Sequence, residues 1–307
     1  MVRLDGGGMF QNCMNLEEID VYNWNVSQAT DMASMFRVCS SLTTINVSEW
    51  DISNVTTLFV TFDGCNKLVN LDVSKWDTSK VTTCGKIGWG YGGTFQDCKN
   101  LERIDISDWN VSQVIDMTNM FRNCNNIKEL KVDKWNTSGV ISIQRMFSNC
   151  MQLSELNVSN FDTSNITNMK ETFFNCQKLT KLNFNNWNTK EVNDMSNMFY
   201  YCVGLTELNM QQFNTSKVIN MQGMFSSASN LEKIYVSEYS EENKTGWTTS
   251  SVTSSANMFI KCNKLIGGNG TTYDSNYTDA TYARIDTAET PGYFTNIKDK
   301  TTEEIKQ

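Results

Sequence analysis

With 307 residues, 34 acidic against 26 basic side chains and a net charge of −8, the chain lacks the clustered basic surface that nucleic-acid binding requires. It has no histidine, which removes the commonest general base, and no apolar stretch as long as a membrane span. Runs of Lys and Arg that would dock on acidic lipids are missing too, so direct membrane insertion is not expected.

The first residues, Met1 to Gly6, contain no apolar region of the signal-peptide kind. The chain then enters a pattern partway through a unit, at Met9-Phe10, with no polar capping unit before it. Because solenoids need terminal caps, this reads as a monomeric segment of a longer protein. From Phe10 onward a 26-residue beat sets in: Phe10, Phe36 and Phe62, then Phe95, Phe121, Phe147, Phe173, Phe199 and Phe225. A cysteine follows three residues after most of them, as in Cys39, Cys124 and Cys202. Self-similarity at this period predicts a stacked repeat array, which displays long surfaces and binds more often than it catalyses.

Val114 to Trp135 shows what one unit contains. Val114, Met117, Met120, Phe121 and Cys124 fall at steps of three and four, which predicts one short helix or helical turn. Leu130 and Val132 then alternate with Glu129, Lys131 and Asp133, the period of a strand with one buried face. Trp135 closes the unit and Asn136-Thr137-Ser138-Gly139 turns the chain back. The strand pair recurs from Ile19/Val21 to Ile234/Val236, and the closing aromatic from Trp24 to Tyr239. The residue after the aromatic is Asn or Asp in eight successive units, suited to bonding local backbone N–H groups. The expected fold is an α/β repeat solenoid, a leucine-rich-repeat-like stack with one parallel β-sheet and short helical turns on the opposite side.

The pattern L-x-x-L-x-V-S-x-W-[DN]-T-S-x-V-x-x-M-x-x-M-F-x-x-C, clearest at Leu153–Cys176 and Leu179–Cys202, resembles the BspA-type leucine-rich repeat. Gly267–Asp274 and Pro291–Phe294 resemble the ending of such arrays. The resemblance implies about ten repeats over residues 1–265, a capping segment at 266–295, and an extracellular or cell-surface adhesion role toward a host or matrix protein, mucin or glycan. It carries no catalytic motif. Residues 296–307 are charged, lack a packing pattern and read as a tail or linker.

Two insertions interrupt the beat, near residues 85–93 and 240–248. Insertions in solenoids map to loops that often mark the binding face. Trp89 and Tyr91 in the first and Trp247 in the second are candidate ligand contacts, with the alternative that the rings fold back over apolar neighbours. The outward strand positions form the broader candidate surface, polar and mixed in sign, with Asn157, Asn183 and Asn209 as candidate hydrogen-bonding residues. Its alternative is a solvated sheet surface. The cysteine column reads as buried free thiols acting as small apolar residues; the Thr137/Thr163/Thr189/Thr215 column follows from the repeated turn, with a flat hydroxyl array, interrupted at Val26, Ile52 and Val111, as a remote alternative. No C-x-x-C pair, metal site, cofactor site or catalytic group is expected. The function read from these features is a non-catalytic recognition module. A structural spacer is the alternative and a glycan-acting enzyme the remote one.

Overall fold

The structure, a computed structural model, describes residues 8–86 and 92–300. Each repeat makes one coil of a solenoid, and backbone hydrogen bonds join successive coils on two sides. The first side carries short parallel strands: β1 (Glu18–Ile19), β2 (Thr44–Ile45), β3 (Asn70–Leu71), β4 (Arg103–Ile104), β5 (Glu155–Asn157), β6 (Lys181–Asn183), β7 (Glu207–Asn209) and β8 (Lys233–Val236). A ninth, β9 (Thr295–Asn296), comes from the C-terminal segment. Register follows the beat, with Leu156 opposite Leu182 and Leu208 opposite Ile234.

The single expected sheet is instead four: β1–β2, β3–β4, β5–β6 and β7–β8–β9. Leu130 and Val132 are buried as predicted, but their segment joins no strand. Strands of two to four residues offer few backbone bonds per step, so the twist between neighbours interrupts pairing easily.

The other side corrects the expectation of helical turns. Among the described residues the only helical elements are two three-residue 3₁₀ turns, Ala280–Tyr282 and Ile297–Asp299, both C-terminal to the array. In the specimen coil, Met120, Arg122 and Cys124 donate their N–H groups to the carbonyls of Met117, Asn119 and Phe121, three residues back. The intervening N–H groups of Asn119, Phe121 and Asn123 point along the stack and bond to Gln144, Met146 and Ser148 of the next coil, at 2.8–2.9 Å. A helix would turn every one of these donors inward onto its own axis. Asn119 (φ 59°) and Asn123 (φ 61°) take the left-handed conformation that each reversal requires. Bridged residues then succeed one another in parallel from Asp31 through Thr57, Thr83, Asp116 and onward to Ser254.

Between the two sides lies a core of stacked columns. Adjacent phenylalanine rings sit 5.4 Å apart at Phe10–Phe36 and 6.1 Å apart at Phe121–Phe147. The indole of Trp135 donates to the carbonyl of Ile106 one coil back at 3.0 Å, and Trp50, Trp76, Trp109 and Trp187 repeat that bond. Each thiol from Cys39 to Cys202 in the column, and Cys262, donates to the carbonyl of the stacked phenylalanine one coil back, as Cys124 does to Phe95 at 3.1 Å. All ten cysteines are free and nine are buried. Burial pushes the thiols of Cys84, Cys202 and Cys262 up to about 12. The threonine column is likewise internal: Thr137, Thr163, Thr189 and Thr215 are buried and donate to carbonyls of the next coil. It presents no hydroxyl array to solvent.

The C-terminal segment covers the last coils. Asp286, 6% exposed, accepts from the N–H groups of Asn269, Thr271 and Gly292 and from Thr271 Oγ1. Burial alone would raise its pKa, but these bonds hold it below the usual carboxylate range. β9 pairs Thr295 with Tyr235 of β8. Lys300 lies 4.4 Å from the centre of the Tyr235 ring and 3.6 Å from Glu207. Residues 296–300, expected as the start of a tail, are thus packed against the array.

Candidate functional site

The strand face is built from positions that alternate with the core. Glu155 and Asn157 point outward while Leu156 is buried, and Lys181 and Asn183 are likewise exposed on either side of a partly buried Leu182. Asn157 and Asn183 stand side by side in register, whereas Asn209 belongs to a different sheet. Each has a local duty. The Oδ1 atoms of Asn157, Asn183 and Asn209 accept the N–H groups of Ser159, Asn185 and Gln211, at 3.1, 3.3 and 3.2 Å. These Asx turns bend the chain out of the strand. Tyr235 of β8, opposite Asn209 in the register, is only 1% exposed because β9 and Lys300 cover it.

An open groove of about 670 Å³ crosses this face. It runs over Asn70 and Asp72 of the β3 coil, Arg103 and Asp105 of the β4 coil, and Lys128 and Lys131 of the coil whose outward segment forms no strand. Its charges are of both signs and partly paired: Lys128 meets Glu102 at 2.8 Å and Lys131 meets Glu129 at 3.6 Å. The hydrogen bond from Lys128 holds Glu102 below its usual pKa, and the backbone and hydroxyl of Ser107 do the same for Asp105. Sequence reasoning found the face but missed the groove, since the groove depends on where pairing fails.

The two insertions differ. Trp89 and Tyr91 lie outside the described residues. The chain leaves the coil at Gly85 and returns at Gly93, which pair as an antiparallel bridge. A side chain at either glycine would collide with the backbone of Thr118 or Asn119 in the next coil. Trp247 is described, and it corrects the expectation of an exposed contact. Its ring is 6% exposed, its indole donates to the Ala283 carbonyl at 2.9 Å, and Phe294 packs edge-on at 4.9 Å. The capping segment supplies those partners, so the ring folds inward, as its alternative reading held.

Among the described residues no group of three or more Cys, Asp or Glu side chains is placed to hold a metal ion, and no helix is long and apolar enough to cross a membrane.

The family model described as "Mycoplasma protein of unknown function, DUF285" matches residues 5–88, 91–183 and 170–289. The chain belongs to the DUF285 family. The BspA-like leucine-rich-repeat character of the sequence stands with that membership. No curated protein matches the sequence of this DUF285 chain. Among solved structures, it is similar to a leucine rich cell surface protein from Faecalibacterium prausnitzii A2-165, at 17% identity over 83% of this chain and 73% of that one, with a TM-score of 0.36. A leucine-rich repeat protein from Bacteroides ovatus ATCC 8483 is similar at 16% identity over 85% and 80% of the two chains, with a TM-score of 0.25. The TLR13–ssRNA13 complex contains a chain similar at 16% identity, with a TM-score of 0.36; the match covers 78% of the DUF285 chain and 34% of that one.

Proposed function

We propose that this DUF285 chain is a non-catalytic recognition module of a cell surface that holds a protein or glycan along its strand face. The groove over β3, β4 and the following coil is the observation that carries this reading. It is the place where an outward face of aligned polar side chains becomes concave, with Arg103, Asp105 and Lys131 available to meet an extended polar ligand. Its mixed charges favour selectivity and salt-sensitive association. Asn157 and Asn183 extend the same face, and Trp89 and Tyr91 are proposed as a second contact. The BspA-like repeat supports an extracellular setting.

The test is a glycan-array and matrix-protein screen of the wild type beside an Arg103→Ala/Lys131→Ala variant and a Trp89→Ala/Tyr91→Ala variant. Binding lost in the first variant, with its thermal midpoint retained, supports the groove; loss in the second moves recognition to the insertion. A folded wild type that binds nothing favours the spacer reading, to which the unbroken bridging from Asp31 to Ser254 lends its own support as a stiffening element.

A further inference from the structure

The outward positions of β7 and β8 carry Glu207, Asn209, Lys233 and Tyr235, with Glu207 opposite Lys233 and Asn209 opposite Tyr235. Leu208, Ile234 and Val236 alternate with them and are buried. Tyr235 therefore turns its ring to the face side, one step diagonal from the Glu207 carboxylate. An aromatic ring beside a carboxylate is a seat for an organic cation, since both attract positive charge.

The chain fills that seat itself. After β9 pairs with β8, a 3₁₀ turn at Ile297–Asp299 brings Lys300 back over the face, with Asn296 Oδ1 accepting the Lys298 N–H at 3.1 Å. Lys300 Nζ stands 4.4 Å from the centre of the Tyr235 ring and 3.6 Å from Glu207 Oε1, and its side chain is 8% exposed. Lysine is seldom so buried unless fully paired. Here the pairing is incomplete: 3.6 Å is too long for a hydrogen bond, and among the described residues no acceptor bonds to the ammonium. Thr295 Oγ1 is also buried without a hydrogen-bond partner. Buried polar groups left unpaired weaken the element that carries them. Tyr293 and Phe294 just before it are fully buried, whereas Ile297 is half-buried and Lys298 and Asp299 are exposed. Residues 295–300 are thus a short strap, anchored at Phe294 and clasped at the far end by one ammonium.

We propose that the Tyr235–Glu207 pair is a lysine-recognition subsite, closed in cis by Lys300, which receives a lysine side chain of a polypeptide partner when the strap lifts. The group seated there fixes the ligand chemistry as a primary ammonium on a flexible stem. A neutral glycan would leave the carboxylate without a charge partner. The subsite lies toward the other end of the strand face from the groove over β3 and β4 and does not depend on it.

Amide NMR titration of the whole chain with Nα-acetyl-lysine methylamide tests this, with the norleucine analogue as the uncharged control. Lys300→Ala is expected to bind the lysine compound saturably in the millimolar range, with shifts at β7 and β8. The wild type should bind about tenfold more weakly, because a tethered competitor acts at a millimolar or higher effective concentration. In the Lys300→Ala background, Tyr235→Leu should weaken binding about tenfold, the scale of a desolvated cation–π contact. Glu207→Gln should weaken it about threefold, the scale of a partly exposed ion pair; being half-exposed, it serves where Tyr235→Leu fails to fold. Lys300→Ala should also speed hydrogen exchange at the Lys298 amide while Tyr293 and Phe294, bonded to Tyr282 and Arg284, keep their protection. Arg103→Ala/Lys131→Ala should leave the lysine signal unchanged, which keeps this test apart from that of the groove. A folded Lys300→Ala chain that binds no lysine compound, equal binding by the norleucine analogue or by the wild type, or unchanged exchange at Lys298 overturns the assignment.

Discussion

On the strand side, ladder pairing lapses between β2 and β3, between β4 and β5, and between β6 and β7. On the turn side, bridged residues follow one another without a gap from Asp31 to Ser254. The side that looked like a sheet in sequence is the interrupted one, and the side that looked helical carries the continuous ladder. Stacking cohesion therefore does not require recognisable strands. It requires N–H groups directed along the stack, and alternating turns with left-handed residues supply them.

The largest effects should come from the ring columns that back each side. Phe121→Ala and Trp135→Ala are both expected to cost about 3–5 kcal/mol in denaturant unfolding, as large core truncations do. Trp135→Phe should cost only about 1 kcal/mol, the worth of the indole bond to Ile106; Phe161 and Phe213 already fill that column elsewhere. A Trp135→Ala cost below about 1 kcal/mol, the scale of surface changes, would mean the strand side adds little to cohesion.

Asp63 on the turn side gives the next effect. Its carboxyl is 5% exposed, and burial raises its pKa to about 6 despite the bond from Arg37 at 3.1 Å. The folded chain thus holds this proton more tightly than the unfolded chain. Its contribution is most favourable below the unfolded value of 3.8 and is lost as pH rises through about 6. The ionised form costs about 3 kcal/mol at neutral pH. Thermal midpoints of Asp63→Asn and wild type should therefore diverge most between those two values, with the flatter profile in the variant. Parallel profiles would contradict this assignment.

Smaller effects separate the sides further. Val38 sits at φ 59° in the column that elsewhere holds Asn123, Asn149 and Asn175. Val38→Asn should stabilise by about 1 kcal/mol, the cost of a left-handed conformation for a residue with a β-carbon. Removing a turn-forming carboxylate should cost about 1 kcal/mol at partly buried Asp116, which accepts the N–H of Thr118 at 2.8 Å, but only about 0.5 kcal/mol or less at exposed Asp105. Equal costs would erase the distinction between the sides.

How much of this was legible follows from what a linear pattern encodes. The Phe, Cys, Trp and Leu columns were readable because each recurs at one spacing and each is buried. The Asx turns at Asn25, Asp51 and Asn136 were readable too, and their Oδ1 atoms accept the N–H groups of Ser27, Ser53 and Ser138. Helix and turn string were not separable by apolar spacing, since both put residues three and four apart on one side. The overlooked signal was asparagine four apart within that segment, as at Asn119 and Asn123, a residue that tolerates positive φ and weakens helices. Trp247 misled because its partners, Ala283 and Phe294, lie some forty residues onward.

The glycine neck of the first insertion has a consequence for how such arrays diversify. Gly85 and Gly93 close on each other, so the coil keeps its register whatever is suspended between them. Doubling the length of such a loop costs only about 0.6 kcal/mol in closure entropy. The neck is therefore a graft port, where evolution or an engineer can exchange one loop for another and leave the scaffold's folding unaltered.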